Sequence, residues 1–443
     1  MLHDAVDLKL NVPKRVSLAD GPHELELLAV EHETEPDFWC AENESRQTIR
    51  SARVVLKADG REVELIHRPY EMPTLIGRLK LYVETTRRWA EDCAIAKLDD
   101  LRGEVRLTVT AADEPWSPPG MVFPIADYRW RSSSYNNTWG SLVPFNKLYY
   151  HRGEDYGAIP DRLDVVSPVW AKLTALPGPE GDGASNSIVL EYGENRTLRM
   201  AHINSRSINR SLRVGQAVAP GQQLAQTGCT WAGRRCQHHD PHLHVGINFG
   251  STRRATYPHL VDAYLNTYGD PALAVAGGYH FTVPGRAVTL DATRCIPRAG
   301  EAIQSYRWEF GDGSGSDQPV VQRVYDAPGH YSEQLTIRTA GGYEARDFAQ
   351  VRVYDPSAPA TAYGWAYHTP VRGIRPGTPV TFWNRIANFR GRVWIDYGDG
   401  KSERIVDLTQ HSFRRRGVHT VTLTATGPNE EPITVRMPVV VEK

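Results

Sequence analysis

The chain has no excess of charge of either sign. Its 443 residues carry 51 basic and 52 acidic side chains, a formal net charge of −1, so neither nucleic acid nor an anionic membrane surface is an expected partner. It also has no long apolar run. No stretch approaches the roughly 18 consecutive apolar residues of a membrane span. The opening residues M-L-H-D-A-V-D-L-K-L have neither the cationic head nor the apolar centre of a secretion signal. Cysteine is scarce: Cys40, Cys93, Cys229, Cys236 and Cys295. Cys229 and Cys236 bracket T-W-A-G-R-R and could close a short loop, Cys40 and Cys93 could pair, and Cys295 is then left odd. That arithmetic fits an oxidising compartment. Five buried thiols are the alternative.

What is present is β-type alternation. Residues 1–115 contain H-E-L-E-L-L-A-V, A-R-V-V-L-K-A and E-V-R-L-T-V-T, with Asp59-Gly60 between two of the runs. Period-two runs separated by turn dipeptides predict antiparallel strands, here an N-terminal β-sandwich-like domain without visible chemistry. The stretch D-E-P-W-S-P-P-G, residues 113–120, reads as a linker. Residues 116–270 are rich in Gly, His, Asp and aromatic residues and again carry short strands. The fold class expected for the whole chain is all-β.

The C-terminal part repeats itself. Y-R-W-E-F-G-D-G (306–313) leads to G-H-Y, and R-V-W-I-D-Y-G-D-G (392–400) leads to G-V-H-T. Each Gly-Asp-Gly reads as a tight turn, since Gly tolerates positive φ and Asp bonds back to its own loop. A calcium site at Asp312 or Asp399 lacks the clustered oxygens that calcium takes. Trp308 and Trp394 are expected to begin apolar strand faces. The repeat resembles two polycystic-kidney-disease (PKD) type β-sandwich domains, over residues 276–356 and 360–443. Such sandwiches more often position than catalyse, so they are expected to be spacers or adhesive modules, dispensable for chemistry.

The densest chemistry is H-H-D-P-H-L-H, residues 238–244, four of the chain's 16 histidines. In the strand pattern H-L-H-V-G-I-N-F, His242, His244, Gly246 and Asn248 face one way and Leu243, Val245, Ile247 and Phe249 the other. The two imidazoles then stand roughly 6.6 Å apart along the strand, at about 3.3 Å per residue. One could hold a metal while its neighbour acts beside it. A catalytic zinc needs about three protein ligands. Candidates upstream are His151 and Asp155, four apart in H-R-G-E-D-Y-G-A, and His202 in M-A-H-I. His238 and His239 read as a solvated loop. Tyr149 or Tyr150 could donate a hydrogen bond to a transition state, but each reads first as core or groove wall.

These motifs together resemble those of lysostaphin-like zinc metallopeptidases. H-R-G-E-D is similar to that family's His-x-Gly-x-Asp, M-A-H-I to its Tyr-Ala-His-Leu, V-G-Q-A-V-A-P-G-Q-Q-L-A-Q-T-G (214–228) to its paired-turn signature, and P-H-L-H-V-G-I to its Pro-His-Leu-His-Phe-Glu-Ile. The resemblance spans about residues 120–265. It implies Zn2+ held by His151, Asp155 and His244, with His202 and His242 in catalysis. It also implies a small antiparallel β fold with the site in a groove, and hydrolysis of peptide cross-links in peptidoglycan outside the cytoplasm, in an extracellular or periplasmic setting. Two departures touch the groove wall: Gly246 stands where the family has an acidic residue, and G-C-T-W-A-G-R-R-C replaces its glycine-rich tail. The rival expectations are an endopeptidase for secreted or matrix protein, and an inactive zinc-binding regulator or anchor of cell-wall enzymes.

Overall fold

The computed structural model describes residues 4–37, 46–92, 100–144, 148–229, 241–270, 272–297, 300–355, 357 and 362–442. Strands dominate. Among the described residues the α-helices are the short Arg87–Glu91 and the longer Tyr257–Tyr268, and no helix is long and apolar enough to cross a membrane.

The N-terminal part is two four-stranded antiparallel sheets. One runs Asp4–Leu8, Val105–Ala111, Leu79–Thr86, Thr74–Ile76, and the other Lys14–Leu18, Gly21–Pro36, Gln47–Ala58, Arg61–His67. Alternate residues of both sheets, among them Leu8, Leu25, Leu27, Val54 and Leu107, form one core. The hairpin at Asp59-Gly60 has positive φ at both residues, 50° and 77°, as the tightest hairpin turns require. The stretch expected to be a linker, residues 113–120, forms turns rather than strand or helix, and most of it is exposed or half-buried. Trp116 is buried with Tyr82, Trp139 and Ala255, and an aromatic of that size anchors a connection that Pro and Gly alone would leave loose.

The middle part is built on a sheet in the order Ala217–Val218, Ala171–Ala175, Ile188–Tyr192, Arg196–Ala201, His242–Phe249, Glu154–Gly157, Asn136–Asn137. Leu243, Val245 and Ile247 are fully buried and share a core with Tyr257, Leu260, Val261 and Tyr264 of the long helix. That helix carries Pro258 in its first turn and ends at Gly269, whose φ of 65° closes the cap onto Leu265 O; this is the usual Pro-start, Gly-stop asymmetry.

At the C-terminus the strands Tyr279–Thr282, Glu344–Val353, Gly329–Thr339, Pro432–Val441, Gly417–Thr426, Arg390–Asp396 and Ser402–Ile405 run across both repeats as one sheet. The repeats meet where His330 pairs in parallel with Ile433. Both Gly-Asp-Gly segments are tight turns. Asp312 Oδ1 accepts the Ser314 N–H at 2.9 Å, and Asp399 Oδ1 the Lys401 N–H at 3.2 Å. Their other oxygens bond Arg323 and His411, so protein partners occupy them.

Trp308 is fully buried, but Trp394 is 48% exposed. Trp308 lies four residues before Asp312, whereas Trp394 lies five before Asp399. A one-residue offset moves a strand side chain to the opposite face, and Ile395, fully buried, fills the place that Trp308 has in the first repeat. The core of the middle part does not stop at residue 270. Leu243, Tyr257, Trp308, Leu335 and Val351 belong to one continuous cluster.

Candidate metal centre

The strand His242–Phe249 lies between two antiparallel neighbours. On one side Asp155 is directly opposite His244 and Gly157 opposite His242; on the other, Ala201 is opposite His244. Directly opposed residues project from the same face of a sheet, so Asp155 and His244 meet by register alone. His202 follows the end of its strand with φ +65°. A non-glycine residue there is strained by about 1–3 kcal/mol and persists only where its surroundings hold it. The bend brings the His202 ring to 4.6 Å from that of His242, centroid to centroid.

All five sequence candidates converge. His244 Nδ1 lies 2.8 Å, His151 Nε2 3.2 Å and His242 Nε2 3.6 Å from the same oxygen, Asp155 Oδ1. One candidate ligand atom from each of His151, Asp155 and His244 falls within 4.8 Å of the other two, so this cluster could hold a metal ion. His151, Asp155, His202 and His242 are buried and His244 nearly so.

The protonation states suit a cation. Burial alone would push the Asp155 carboxyl up, but the nearby His151 and His242 and hydrogen bonds from His151 and His244 outweigh it and hold it well below the usual carboxylate range. Burial pushes the His244 imidazole down to about 4, against the pull of Asp155. An ionised carboxylate and a neutral imidazole are what a divalent metal requires of its ligands. The donor set fits zinc: two imidazoles and one carboxylate, leaving room for a further ligand. Two buried polar atoms at the site, His151 Nδ1 and Asn137 Oδ1, have no hydrogen-bond partner among the described residues.

Gly153 makes the approach possible. Its φ is +146°, and a Cβ there would stand 2.6 Å from Val245 O and 2.7 Å from His244 Cε1. Gly157 has a like role, since a Cβ would meet Ser133 Oγ at 2.2 Å.

The sequence reading missed two residues that hold the cluster from behind. The Asn137 amide donates to Asp155 Oδ2 at 2.8 Å. The Tyr135 ring stacks on His242 at 4.8 Å with an interplanar angle of 28°, and its hydroxyl lies 3.5 Å from the same Asp155 oxygen. Both sit in R-S-S-S-Y-N-N-T-W, residues 131–139, a polar run that reads as a surface loop yet is buried throughout. Tyr150 belongs to the domain contact instead. Its hydroxyl donates to Asp92 and accepts from Ile49 N–H.

His238 and His239 lie outside the described residues. So do Cys40, Cys93 and Cys236. Cys229 is in a disulfide, and Cys295 is free and buried, its thiol pushed up to about 12 by burial.

Comparison with known proteins identifies PKD domains over residues 269–353 and 364–432. The similar solved structures include a zinc-containing peptidase from Vibrio cholerae, 17% identical, aligned over 53% of this chain and 56% of that one with a TM-score of 0.25. This chain thus spans little more than half the length of that peptidase. Two others are CbpA from L. salivarius REN (18% identical, 33% and 98% covered, TM-score 0.23) and Csd3 from Helicobacter pylori (14% identical, 52% and 75% covered, TM-score 0.24). The chain therefore carries two C-terminal PKD domains beside a buried His/Asp cluster able to bind a metal.

Proposed function

We propose that this protein is a zinc-dependent endopeptidase of lysostaphin-like type, hydrolysing peptide bonds of peptidoglycan cross-links outside the cytoplasm. The observation that carries the reading is the convergence of His151, Asp155 and His244 on one point, with two further imidazoles, His202 and His242, beside it. A metallopeptidase needs ligands and proton-transfer groups in one place. The disulfide at Cys229 and the PKD domains support a site of action outside the cytoplasm.

In this reading His151, Asp155 and His244 hold the ion. Zinc, when bound, supplies Lewis acidity and lowers the pKa of water from about 15.7 toward about 7. The rest is done by the chain. Asp155 contributes the one negative charge and is kept in place by Asn137. His242 Nε2, 3.6 Å from Asp155 Oδ1, is placed to take a proton from the attacking water or return one to the leaving amine. His202, ring to ring with His242, shares that work or donates to the developing oxyanion. A positioned acid–base group is typically worth about 10²–10⁴-fold. The buried walls keep bulk water from competing for these hydrogen bonds.

The test is a digest of purified cell walls beside a gelatin and elastin panel, with metal content measured on the same protein. New amino termini from wall fragments, absent after chelation, are expected. Cleavage confined to gelatin or elastin would move the substrate to matrix protein. Bound zinc without any cleavage would make the chain a regulator or anchor.

A further inference from the structure

Residues 131–137 lie between the metal centre and both PKD domains. Toward the centre, Asn137 pairs with Asp155, and Tyr135 O accepts the Gly157 N–H at 3.0 Å. Away from it, the Ala366 N–H donates to Ser134 Oγ at 2.9 Å, and the Ser134 N–H to Ala366 O at 3.3 Å. Ala366 belongs to Tyr363–Thr369, a strand of the second PKD domain. Tyr279, from the first, accepts the Asn136 N–H at its hydroxyl.

At the middle of this contact is a file of rings. His242 stacks on Tyr135, and Tyr135 meets Trp365 edge to face at 5.0 Å and 88°. Trp365 is 4% exposed. It is held in turn by Tyr279 at 5.2 Å and by the Arg352 guanidinium, also 5.2 Å from its ring. The Tyr135 ring is thus packed between His242 and Trp365, and ring packing of this kind bears directly on its plane.

We propose that Trp365, carried by the second PKD domain, is a positioning residue for the metal centre: it fixes the Tyr135 ring, which sets the plane of His242. The inference rests on the reading of His242 as a group acting beside a bound metal. The PKD domain is then part of the catalytic unit rather than a spacer. Shifts of about 1 Å in a reacting group can cost on the order of 10²-fold in rate, so a ring released two contacts away is expected to reduce turnover without touching the ligands.

The test uses the full chain with Trp365→Leu, which keeps apolar bulk but removes the ring, Trp365→Phe, which keeps a ring edge, Tyr135→Leu, and the double Leu variant. Expected for Trp365→Leu are metal content unchanged, KM within about twofold, and kcat lowered about tenfold or more. Trp365→Phe is expected to recover most of that loss, and the double variant to be no slower than the slower single one. A second readout is independent of activity. The His242 ring resonance, assigned by its absence in His242→Gln, is expected to move in Trp365→Leu and return toward its place in Trp365→Phe. Multiplying losses in the double variant, a kcat unchanged in Trp365→Leu, or an unmoved resonance would each overturn the proposal. Should Trp365→Leu not fold, Tyr135→Leu and Trp365→Phe carry the same comparison. A chain that cuts no peptide sinks the proposed function alone, and the resonance still decides the positioning.

Discussion

Two glycines flank the His244 imidazole and are expected to behave oppositely when given a methyl group. At Gly153 the backbone has φ +146°, and a new Cβ would lie 2.6 Å from Val245 O, 2.7 Å from His244 Cε1 and 2.9 Å from His244 Nε2. The Val245 backbone cannot yield easily, because Val245 is paired with Glu154 on one side and Met200 on the other. The imidazole must turn away, or the Gly153 backbone must. Backbone strain of this kind costs about 1–3 kcal/mol. Displacing a ligand that its surroundings orient typically costs about 10–100-fold in metal affinity. At Gly246 a Cβ would stand 3.7 Å from His244 Nε2, an ordinary contact, and Gly246 lies in a regular strand. Gly153→Ala should therefore lose metal to a competing chelator about 10–100-fold more readily than the unaltered chain and melt at a lower temperature. Gly246→Ala should match the unaltered chain within about threefold. Competition titration with a chromophoric chelator reads the first quantity and scanning calorimetry the second. Equal metal retention by both variants would show that His244 is not a ligand or that its ring is free to move.

His244→Ala is expected to lose metal and activity together, while His242→Ala keeps about one metal per chain and loses about 10²-fold or more in turnover; metal analysis after identical dialysis checks it, and the reverse pattern would exchange the two roles. His238→Ala and His239→Ala are expected to change little in the same assay. Burial pushes His67 and His368 down to about 4 and His330 to about 3. The unfolded chain binds their protons first, so their contribution is fully present above about pH 6.5 and falls by about 1.4 kcal/mol per histidine per pH unit below it, down to those folded values. Urea melts at pH 7, 6 and 5 should show it, and His330→Gln should flatten the slope. A fragment ending at Asp270 is expected to be insoluble rather than an independent catalytic domain, because its core continues into Trp308, Leu335 and Val351 and Asp270 is bonded to Arg372; a soluble fragment that binds metal would refute this.

The strands were legible because their chemistry is local. H-L-H-V-G-I-N-F alternates cleanly, and Leu243, Val245 and Ile247 are buried as the period of two demands. The Gly-Asp-Gly turns and the Asp59-Gly60 hairpin were legible for the same reason: each closes within a few residues. Long-range packing was not. Trp394 has the same local pattern as Trp308 and points outward because of a single-residue offset before its turn. Nothing around Trp116 or Trp365 announces what lies against them. The run 131–139 is mostly Arg, Ser and Asn, which read as solvated. It is buried because many of its polar groups find partners, several of them in other domains, a property of the fold that no window of sequence contains.

The ionised carboxylate at the centre explains why so much of the chain gathers around it. Buried away from water, Asp155 costs free energy unless it is surrounded by donors. Three imidazoles and the Asn137 amide meet it within hydrogen-bond or near-contact distance. Those donors come from three separate stretches of the middle domain, and Asn137 is itself held by a segment whose outer face is bonded to Ala366 and Tyr279. Strand register alone brings Asp155 to His244, because the two are directly opposed. Register also sets Asn137 opposite Asp155, but Asn137 sits on a two-residue edge strand, Asn136–Asn137, with Tyr135 just before it, and a strand that short is not stable unaided. The PKD contacts supply what that strand lacks. The same contacts that complete the packing of the edge strand therefore also complete the surroundings of the charge, and a change at the domain interface should reach the candidate metal centre before it reaches the remainder of the middle sheet.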